Sequence, residues 1–475
     1  MDKVKDRLLL IFILSLILVL RIPYISNSPY EQGENWRQSD TESIARNFLE
    51  DKFNIFYPQF NYDGPLPNYV QLEFQITTFI IAILYKFFGY NYIFARAVPL
   101  CFFMGSCIFL YLIGRMFYSK EQAYIVLVIY GILPINIYFS RAIMPESAAL
   151  FFYLAAYYYF LKWIKEEEKK LIFLSAVFTA LSISQKIPTI FIGIPMLIMA
   201  IKKYKKAIFK IKELYLFAII ALGSPYLYFK WVAYIAEFRF VNNIAQKHIY
   251  KRLFTDIFTK EALNFFKLKL PQEFSLGILL LFIIGIFMIK MKKELPLLLW
   301  LLTMILELVL IVAVIRLNYY LIFISPIIAL IASKPLYLIW KHKYGGVFIT
   351  AIVFFIGISS YSRLVPLYKE KTNLLKQANM VKKYTNVEDL IVVGTPDPAL
   401  INASQRRGWR ANIDYYDYIP KDPVKEINYY IENGAKYFVP MKGWIHNDKG
   451  EYRKYLEENF KKIIDEDGYY IYVLQ

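Results

Sequence analysis

Runs of about 17–25 predominantly apolar residues recur along the chain, and each is long enough to cross about 30 Å of hydrocarbon as a helix. They are continuous rather than alternating, which argues for helices and against a barrel. The expected spans, several of them with shorter apolar cores, fall at about 8–25, 94–114, 122–138, 147–162, 171–184, 187–201, 213–229, 274–289, 295–315, 319–333 and 346–361. They account for a chain of 475 residues that is 57% hydrophobic, with a mean hydropathy of +0.37. Tyrosines cluster near the run ends, where an amphipathic ring suits the membrane interface. The expected architecture is an α-helical polytopic membrane protein with about eleven spans.

The net charge of +18 would suggest nucleic acid in a soluble protein, but the lysines and arginines collect in every second loop. The clusters lie at 3–7, 115–120, 162–170, 202–212, 290–293 and 334–343. This is the positive-inside pattern, and it puts the N-terminus in the cytoplasm of a multi-pass protein of the cytoplasmic membrane, with no nucleic-acid partner. The alternation holds only if the apolar segment at about 69–88 does not cross, so it is expected to lie along the membrane surface. No small-residue cleavage site follows residues 8–20, so an uncleaved first helix is expected. Cys101 and Cys107 share one run, which offers neither a disulfide framework nor a thiolate metal site.

The first outward loop is the acid-rich part. Residues 26–75 hold Glu31, Glu34, Asp40, Glu42, Glu50, Asp51, Asp63 and Glu73. SDTESIARNFLE reads as a short amphipathic helix in which Ser39 and Glu42 make a capping-box pattern. Two juxtamembrane helices are thus expected in this loop, with Glu73 at the start of the second. The loop at 230–273, with Arg239, Lys247, His248, Lys251 and Arg252, lacks a clear apolar face and reads as a lid; a lone histidine there is a solvated residue. Composition shifts near 365, dividing a membrane domain, 1–364, from a soluble extracytoplasmic α/β domain, 365–475. Strand-like runs at 389–394, 436–440 and 469–474 alternate with helical patterns at about 366–384, 423–433 and 451–462. No nucleotide-binding glycine motif is present.

The outward loops between later spans carry few charges. Arg141 and Glu146 share one, Lys186 stands in the next, and Arg316 precedes Asn318, Tyr319 and Tyr320. An isolated cation away from the basic face suits an anionic ligand at the membrane surface, such as a lipid-linked phosphate. The bland alternatives are a lipid headgroup, a nearby acid, or interface anchoring for the tyrosines.

At this point the chain resembles the GT-C membrane glycosyltransferases, which include protein O-mannosyltransferases and the transferase that adds aminoarabinose to lipid A. The resemblance rests on ENWRQSDTESIARNF (34–48), the EF at 73–74, FFGYNYIFAR (87–96), SRAIMPES (140–147), QKIPTIFIGIP (185–195) and RLNYYLIFISP (316–326). It implies inverting transfer of a sugar from a polyprenyl-phosphate donor to an envelope glycan, lipid or protein outside the cytoplasm. Position in the motif makes Asp40 the general base, although Thr41 stands where most relatives have a second acid. Arg37, Arg141, Lys186 and Arg316 are the candidates for donor phosphate, and Tyr319, Tyr320 and Glu34 for sugar or acceptor. Glu73, Glu146 and Glu42 form a candidate acidic site for a divalent cation, although no ligand spacing identifies a metal. RRGW at 406–409 matches a stretch in the relatives' soluble domain and reads as an exposed basic patch. Two other readings share these features: a transporter or flippase of lipid-linked sugars, and a non-catalytic partner with the same fold.

Overall fold

The computed structural model describes residues 2–236, 249–411, 419–441, 450–466 and 468–475. A helix with no polar face must bury or face lipid all round, and such helices gather here into a bundle. Among the described residues, six are long and apolar enough to cross a membrane: Tyr92–Phe117, Ile187–Lys210, Lys212–Ile235, Leu295–Ile315, Asn318–Trp340 and Gly345–Tyr368. Lys260–Phe274 and Leu276–Phe287 meet at a 99° bend and make a seventh if they form one broken span. The other expected runs form helices that are shorter or carry more charge: Asp2–Val19 (α1), Lys120–Ile132, Glu146–Glu166 and Lys169–Gln185. The count of eleven thus rests on helices that sequence hydropathy alone does not separate from buried core helices. The third run, for example, is cut at Pro134, which begins a separate short helix, Pro134–Phe139.

Small residues let the central helices approach closely. Glu146–Glu166 and Lys169–Gln185 form a hairpin in which the Ser175 hydroxyl donates to the Ala156 carbonyl at 2.8 Å and Ser182 to that of Ala149 at 2.9 Å. Ion pairs tie the alternate basic loops together at one end of the bundle: Lys120 to Asp6, Lys203 to Glu167, Lys169 to Glu213 and Lys334 to Glu294.

The acid-rich loop lies at the opposite end. Its first helix, Asn35–Glu50 (α2), begins one turn earlier than the capping-box pattern suggests, so Ser39, Asp40 and Glu42 sit inside it rather than at its start. Its second helix, Ile76–Phe88 (α3), is apolar but only 13 residues long. At 1.5 Å per residue that is about 20 Å, too short to span. Residues 69–75 are not helical, so Glu73 precedes α3 rather than opening it. The two helices pack through Ile44, Phe48, Ile81 and Ala82, with Phe48 edge-on to Phe79 at 5.3 Å. Tyr92–Phe117 (α4) follows. In the loop read as a lid, residues 237–248, including Arg239, Lys247 and His248, lie outside the described residues. Much of the rest is ordered as Lys260–Phe274 and short 3-10 turns.

After the bundle, Thr372–Tyr384 leads into a five-stranded mixed sheet of order β2-β1-β3-β5-β4. The strands are β1 (Leu390–Gly394), β2 (Arg407–Arg410), β3 (Ala435–Pro440), β4 (Lys461–Glu466) and β5 (Tyr469–Val473). β1 pairs in parallel with both neighbours, and β5 runs antiparallel to β3 and β4. Two strands differ from expectation. RGWR is an edge strand with Arg410 and Trp409 buried, not an exposed basic patch. The helical pattern at 451–462 ends at Asn459, and β4 follows directly.

The open edge of β2 is covered by the acid-rich loop. Gly64 donates its amide to the Gly408 carbonyl, and Gly408 donates to the Asn61 carbonyl, both at 3.0 Å. Gly408 has a φ of +142°, and a Cβ there would overlap the Ile391 backbone on β1. Gly408→Ala is expected to lower unfolding stability by about 2 kcal/mol or more, through strain and lost edge pairing. Thermal unfolding in detergent against wild type measures this.

Candidate active site

The acidic loop is fixed to the bundle through a buried carboxylate. Glu31 Oε1 accepts from Arg141 Nη2 at 2.6 Å and Asn27 Nδ2 at 3.2 Å, and lies 3.4 Å from Arg96 Nη2. Arg141 also donates to the Tyr24 carbonyl and lies over the Tyr368 ring at 4.0 Å. Arg141 is therefore a structural partner of Glu31, not an available phosphate ligand, and it does not pair with Glu146. Arg96, on α4, donates further to the carbonyls of Asn27 and Ser28 and to Gln38 of α2. Removing the charge of Glu31 leaves two buried guanidinium groups uncompensated. Glu31→Gln is expected to cost about 3–5 kcal/mol of stability, read by denaturant or thermal unfolding.

Gly33 lets α2 start where it does, because a Cβ there would overlap the Tyr138 hydroxyl. That hydroxyl accepts from the Glu34 amide at 3.1 Å. From this start α2 fans three charged side chains along about one and a half turns: Glu34, Arg37 and Asp40. Each meets a different environment.

Glu34 lines a cavity of about 730 Å³ together with Lys269, Glu273, Asn318 and Arg363. Burial pushes its carboxyl up to about 7, helped by Glu146 and Glu273 and opposed by Lys269 and Lys186. Arg37 pairs with Glu73. Lys186, which ends the helix Lys169–Gln185, lies 2.6 Å from Glu146 at the start of the next-door helix. Its ammonium faces the rings of Tyr319 and Tyr320 at 4.9 and 5.1 Å. Arg37, Glu146 and Glu34 all act electrostatically on Tyr319. The structure thus gathers Glu34, Arg37, Glu73, Glu146, Lys186, Tyr319 and Tyr320 into one neighbourhood.

Next to Lys186, an apolar groove runs down the bundle between Ile187–Tyr204 and Lys212–Ile235. Its upper part, about 430 Å³, is lined by Ile187, Ile190, Leu222 and Phe229. It shares Ile183, Ile190 and Leu222 with a lower part of about 540 Å³ that reaches Phe209.

Asp40 is one layer behind. It is 3% exposed, and its Oδ2 accepts from the Tyr62 hydroxyl at 3.0 Å while Oδ1 accepts from Asn402 Nδ2 at 3.1 Å. Burial pushes its carboxyl up to about 7, against the pull of Arg37 and Arg410 and these two hydrogen bonds. Arg410 binds Asp63 through two contacts, at 3.1 and 2.7 Å, and stacks on Tyr62.

Two candidates stand apart. Glu42 is buried against Arg46, at 2.6 Å, and Tyr85, so it does not join Glu73 and Glu146; among the described residues no three acids, histidines or cysteines come together to hold a metal. Arg316 is bound to Asp256 at 3.1 Å, which Arg252 also meets at 2.8 Å. Sequence reasoning missed Glu31 with Arg96, the cavity wall of Lys269, Glu273 and Asn318, and the Tyr62–Asn402 holder of Asp40. The RRGWR stretch and the Asp63–Gly64 turn were the only local signals for the last of these.

Because the folded pKa of Asp40 lies above its unfolded value of 3.8, its contribution to stability is full below about pH 4 and is lost as pH rises through about 7. Asparagine does not titrate. Wild type is therefore expected to lose about 2 kcal/mol relative to Asp40→Asn between pH 5 and pH 8, measured as the difference of two unfolding curves at each pH.

Residues 12–241 match the family model described as dolichyl-phosphate-mannose-protein mannosyltransferase. No curated protein matches the sequence. Among solved structures, ArnT from Cupriavidus metallidurans bound to undecaprenyl phosphate aligns over 98% of each chain, at 9% identity and a TM-score of 0.71. The oligosaccharyltransferase of Archaeoglobus fulgidus aligns over 91% of this chain and 69% of its own, at 11% identity and a TM-score of 0.63. The same archaeal enzyme, AglB, in complex with an inhibitory peptide and a dolichol-phosphate aligns at 12% identity over 92% and 69%, with a TM-score of 0.62. These likenesses establish the fold, which the chain shares with these membrane glycosyltransferases, while the mannosyltransferase family model matches just under half of its length.

Proposed function

We propose that the protein transfers a sugar from a polyprenyl-phosphate donor to an acceptor of the cell envelope, on the extracytoplasmic side of the cytoplasmic membrane. The observation that carries this reading is the position of Lys186 at the head of an apolar groove, between Glu146, Tyr319 and Tyr320. A cation above a long apolar channel suits a phosphate whose isoprenoid tail lies in lipid. The basic loops tied together at the other end of the bundle support a cytoplasmic N-terminus and an outside site. The C-terminal sheet unit is then extracytoplasmic as well.

In the proposed reaction the acceptor hydroxyl attacks the anomeric carbon from the face opposite the phosphate. The new C–O bond forms as the C–O bond to phosphate breaks, and the phosphate leaves with the electron pair. Lys186 and Arg37 meet the growing phosphate charge, each released from its carboxylate partner as the phosphate takes that place. Asp40 takes the acceptor's proton. Its raised pKa, near 7, suits a base working near neutrality, and phosphate as leaving group dispenses with a second acid. A specific observation favours a second assignment of the base: Glu34 opens on the cavity with a similarly raised pKa, whereas Asp40 is sealed.

A transporter of lipid-linked sugars gains weight from Glu307. It is buried without a hydrogen-bond partner among the described residues, at the entry to a π-helical turn of Leu295–Ile315. Purified protein in liposomes with a panel of radiolabelled undecaprenyl-phosphate sugars separates these readings. Wild type is expected to release undecaprenyl phosphate and label an added envelope extract. Asp40→Asn should slow this by about 10²–10⁴-fold, and Lys186→Ala should raise KM and lower kcat together. Loss of turnover in Glu34→Gln with retention in Asp40→Asn moves the base to Glu34. Movement of donor across the bilayer without consumption by wild type sinks the transferase reading.

A further inference from the structure

Asp40 is held from two sides by two different parts of the chain. Tyr62, in the acidic loop, supplies one donor, and Asn402, in the C-terminal unit 362 residues away, supplies the other. Asn402 sits in the short helix Ala399–Ser404, whose first turn is set by Asp397. One Asp397 oxygen accepts the Ala399 amide at 2.9 Å, and the other accepts Asn35 Nδ2 of α2 at 3.1 Å. Lys371 Nζ donates to the same Asn35 side chain at 2.8 Å. The helix is therefore registered against α2 by contacts at Asn35 and delivers Asn402 one and a half turns further on.

The identity of residue 402 is informative because its neighbours are apolar. Ala399, Leu400, Ile401 and Ala403 pack into the core shared with α2 and α3. A residue whose task was adhesion would be apolar too. Asn402 instead buries a primary amide whose Oδ1 has no hydrogen-bond partner among the described residues, an arrangement that costs stability. What the amide gains is on its Nδ2, which reaches Asp40 Oδ1 at 3.1 Å and Ser39 Oγ at 3.2 Å.

The charged and titratable groups facing Asp40 are Arg37 on its own helix, Arg410 on β2 and Tyr62 on the loop. Arg410 is shared with Asp63, which draws its charge away from Asp40. Asn402 is then the neutral donor that the C-terminal unit places directly on the carboxylate.

We propose that Asn402 is a positioning residue for Asp40, so that the acidic site of the membrane domain is complete only when the C-terminal unit is docked on it. This rests on the reading of Asp40 as the base. The unit thereby gains a role in the reaction itself, besides any part in choosing the acceptor. A carboxylate held by two donors keeps one oxygen aimed and its ionised form favoured; with one donor gone it rotates and protonates more readily.

The test uses the full-length protein in liposomes with the undecaprenyl-phosphate sugar that wild type consumes. Asn402→Ala should move the acid limb of the kcat/KM profile to higher pH by about one unit, while turnover persists on the alkaline side. Asn402→Asp, nearly isosteric but adding a negative charge, should move it further, and Asn402→Ser, which keeps a donor, should recover part of the shift. An acid limb unchanged in folded Asn402→Ala and Asn402→Asp overturns the proposal. A second measurement does not depend on turnover. The pH dependence of the unfolding difference between Asp40 and Asp40→Asn is compared in the Asn402 and Asn402→Ala backgrounds. Its midpoint should rise by the same unit, and an unmoved midpoint also overturns the proposal. If Asp40→Asn keeps full turnover, the base assignment fails, and the unfolding comparison then reports separately whether Asn402 governs Asp40.

Discussion

The arrangement at the sheet end of the bundle depends on one buried carboxylate, Glu31, and the two arginines that meet it. Placing a carboxylate between two guanidinium groups away from water is costly unless every remaining donor is used. Here most of the surplus donors are spent on the backbone and on Gln38, while Arg141 Nε and Glu31 Oε2 have no partner among the described residues. Arg96 takes the carbonyls of Asn27 and Ser28, and Arg141 takes that of Tyr24. The acidic loop therefore leaves the membrane along a path defined by hydrogen bonds rather than by apolar contact. Gln38 extends the same network into α2: its carbonyl oxygen accepts from Arg96 and from the Ile143 amide, and its nitrogen donates to Tyr138. The helix is thus oriented by α4 and by the turn before Glu146.

With α2 oriented, the three charged residues at its start diverge. The fan from Glu34 through Arg37 to Asp40 turns from an open cavity, past an ion pair, into a sealed contact with the C-terminal sheet. Two carboxyl groups on one short helix are both pushed toward neutrality, and burial is the leading cause for each. Their neighbours differ: Glu34 is also raised by nearby acids, while Asp40 is opposed by two arginines and two hydrogen bonds. Similar proton affinities therefore arise from an environment that repels charge and from one that partly stabilises it.

The apolar runs made the bundle legible in the sequence, and the basic alternation argued against a crossing at 69–88, where the structure has a helix of only 13 residues, Ile76–Phe88. Breaks were less legible, because hydropathy does not register a bend. Ser275, with a φ of +62°, turns the chain by 99° inside an apolar stretch, and nothing in its neighbours announces it. Within the site, the cations that stood out locally were of two physical kinds. Lys186 is paired with Glu146 and also faces aromatic rings beside a groove. Arg141 and Arg316 are neutralised by Glu31 and Asp256, 110 and 60 residues away respectively, and such partners leave no local trace. The same distance problem hid Arg410. A run of arginines reads as a solvated patch unless Asp63, far upstream, is known to face it.

Joining the two ends of the chain also explains why the soluble unit and the first loop read so differently by sequence yet behave as one structure. Residues 30–33 pair with 367–371, residues 61–64 complete the edge of β2, and Asn402 reaches Asp40. An exposed edge strand is a liability that invites foreign pairing, and here the loop that bears the acidic residues is what covers it. The cover has a consequence for chemistry. Any movement that lifts residues 61–64 must also expose β2 and release Asp40 from Tyr62. Access to the buried carboxylate and integrity of the sheet edge are therefore alternatives, which makes the docked C-terminal unit part of the balance between a closed, aimed carboxylate and an open one.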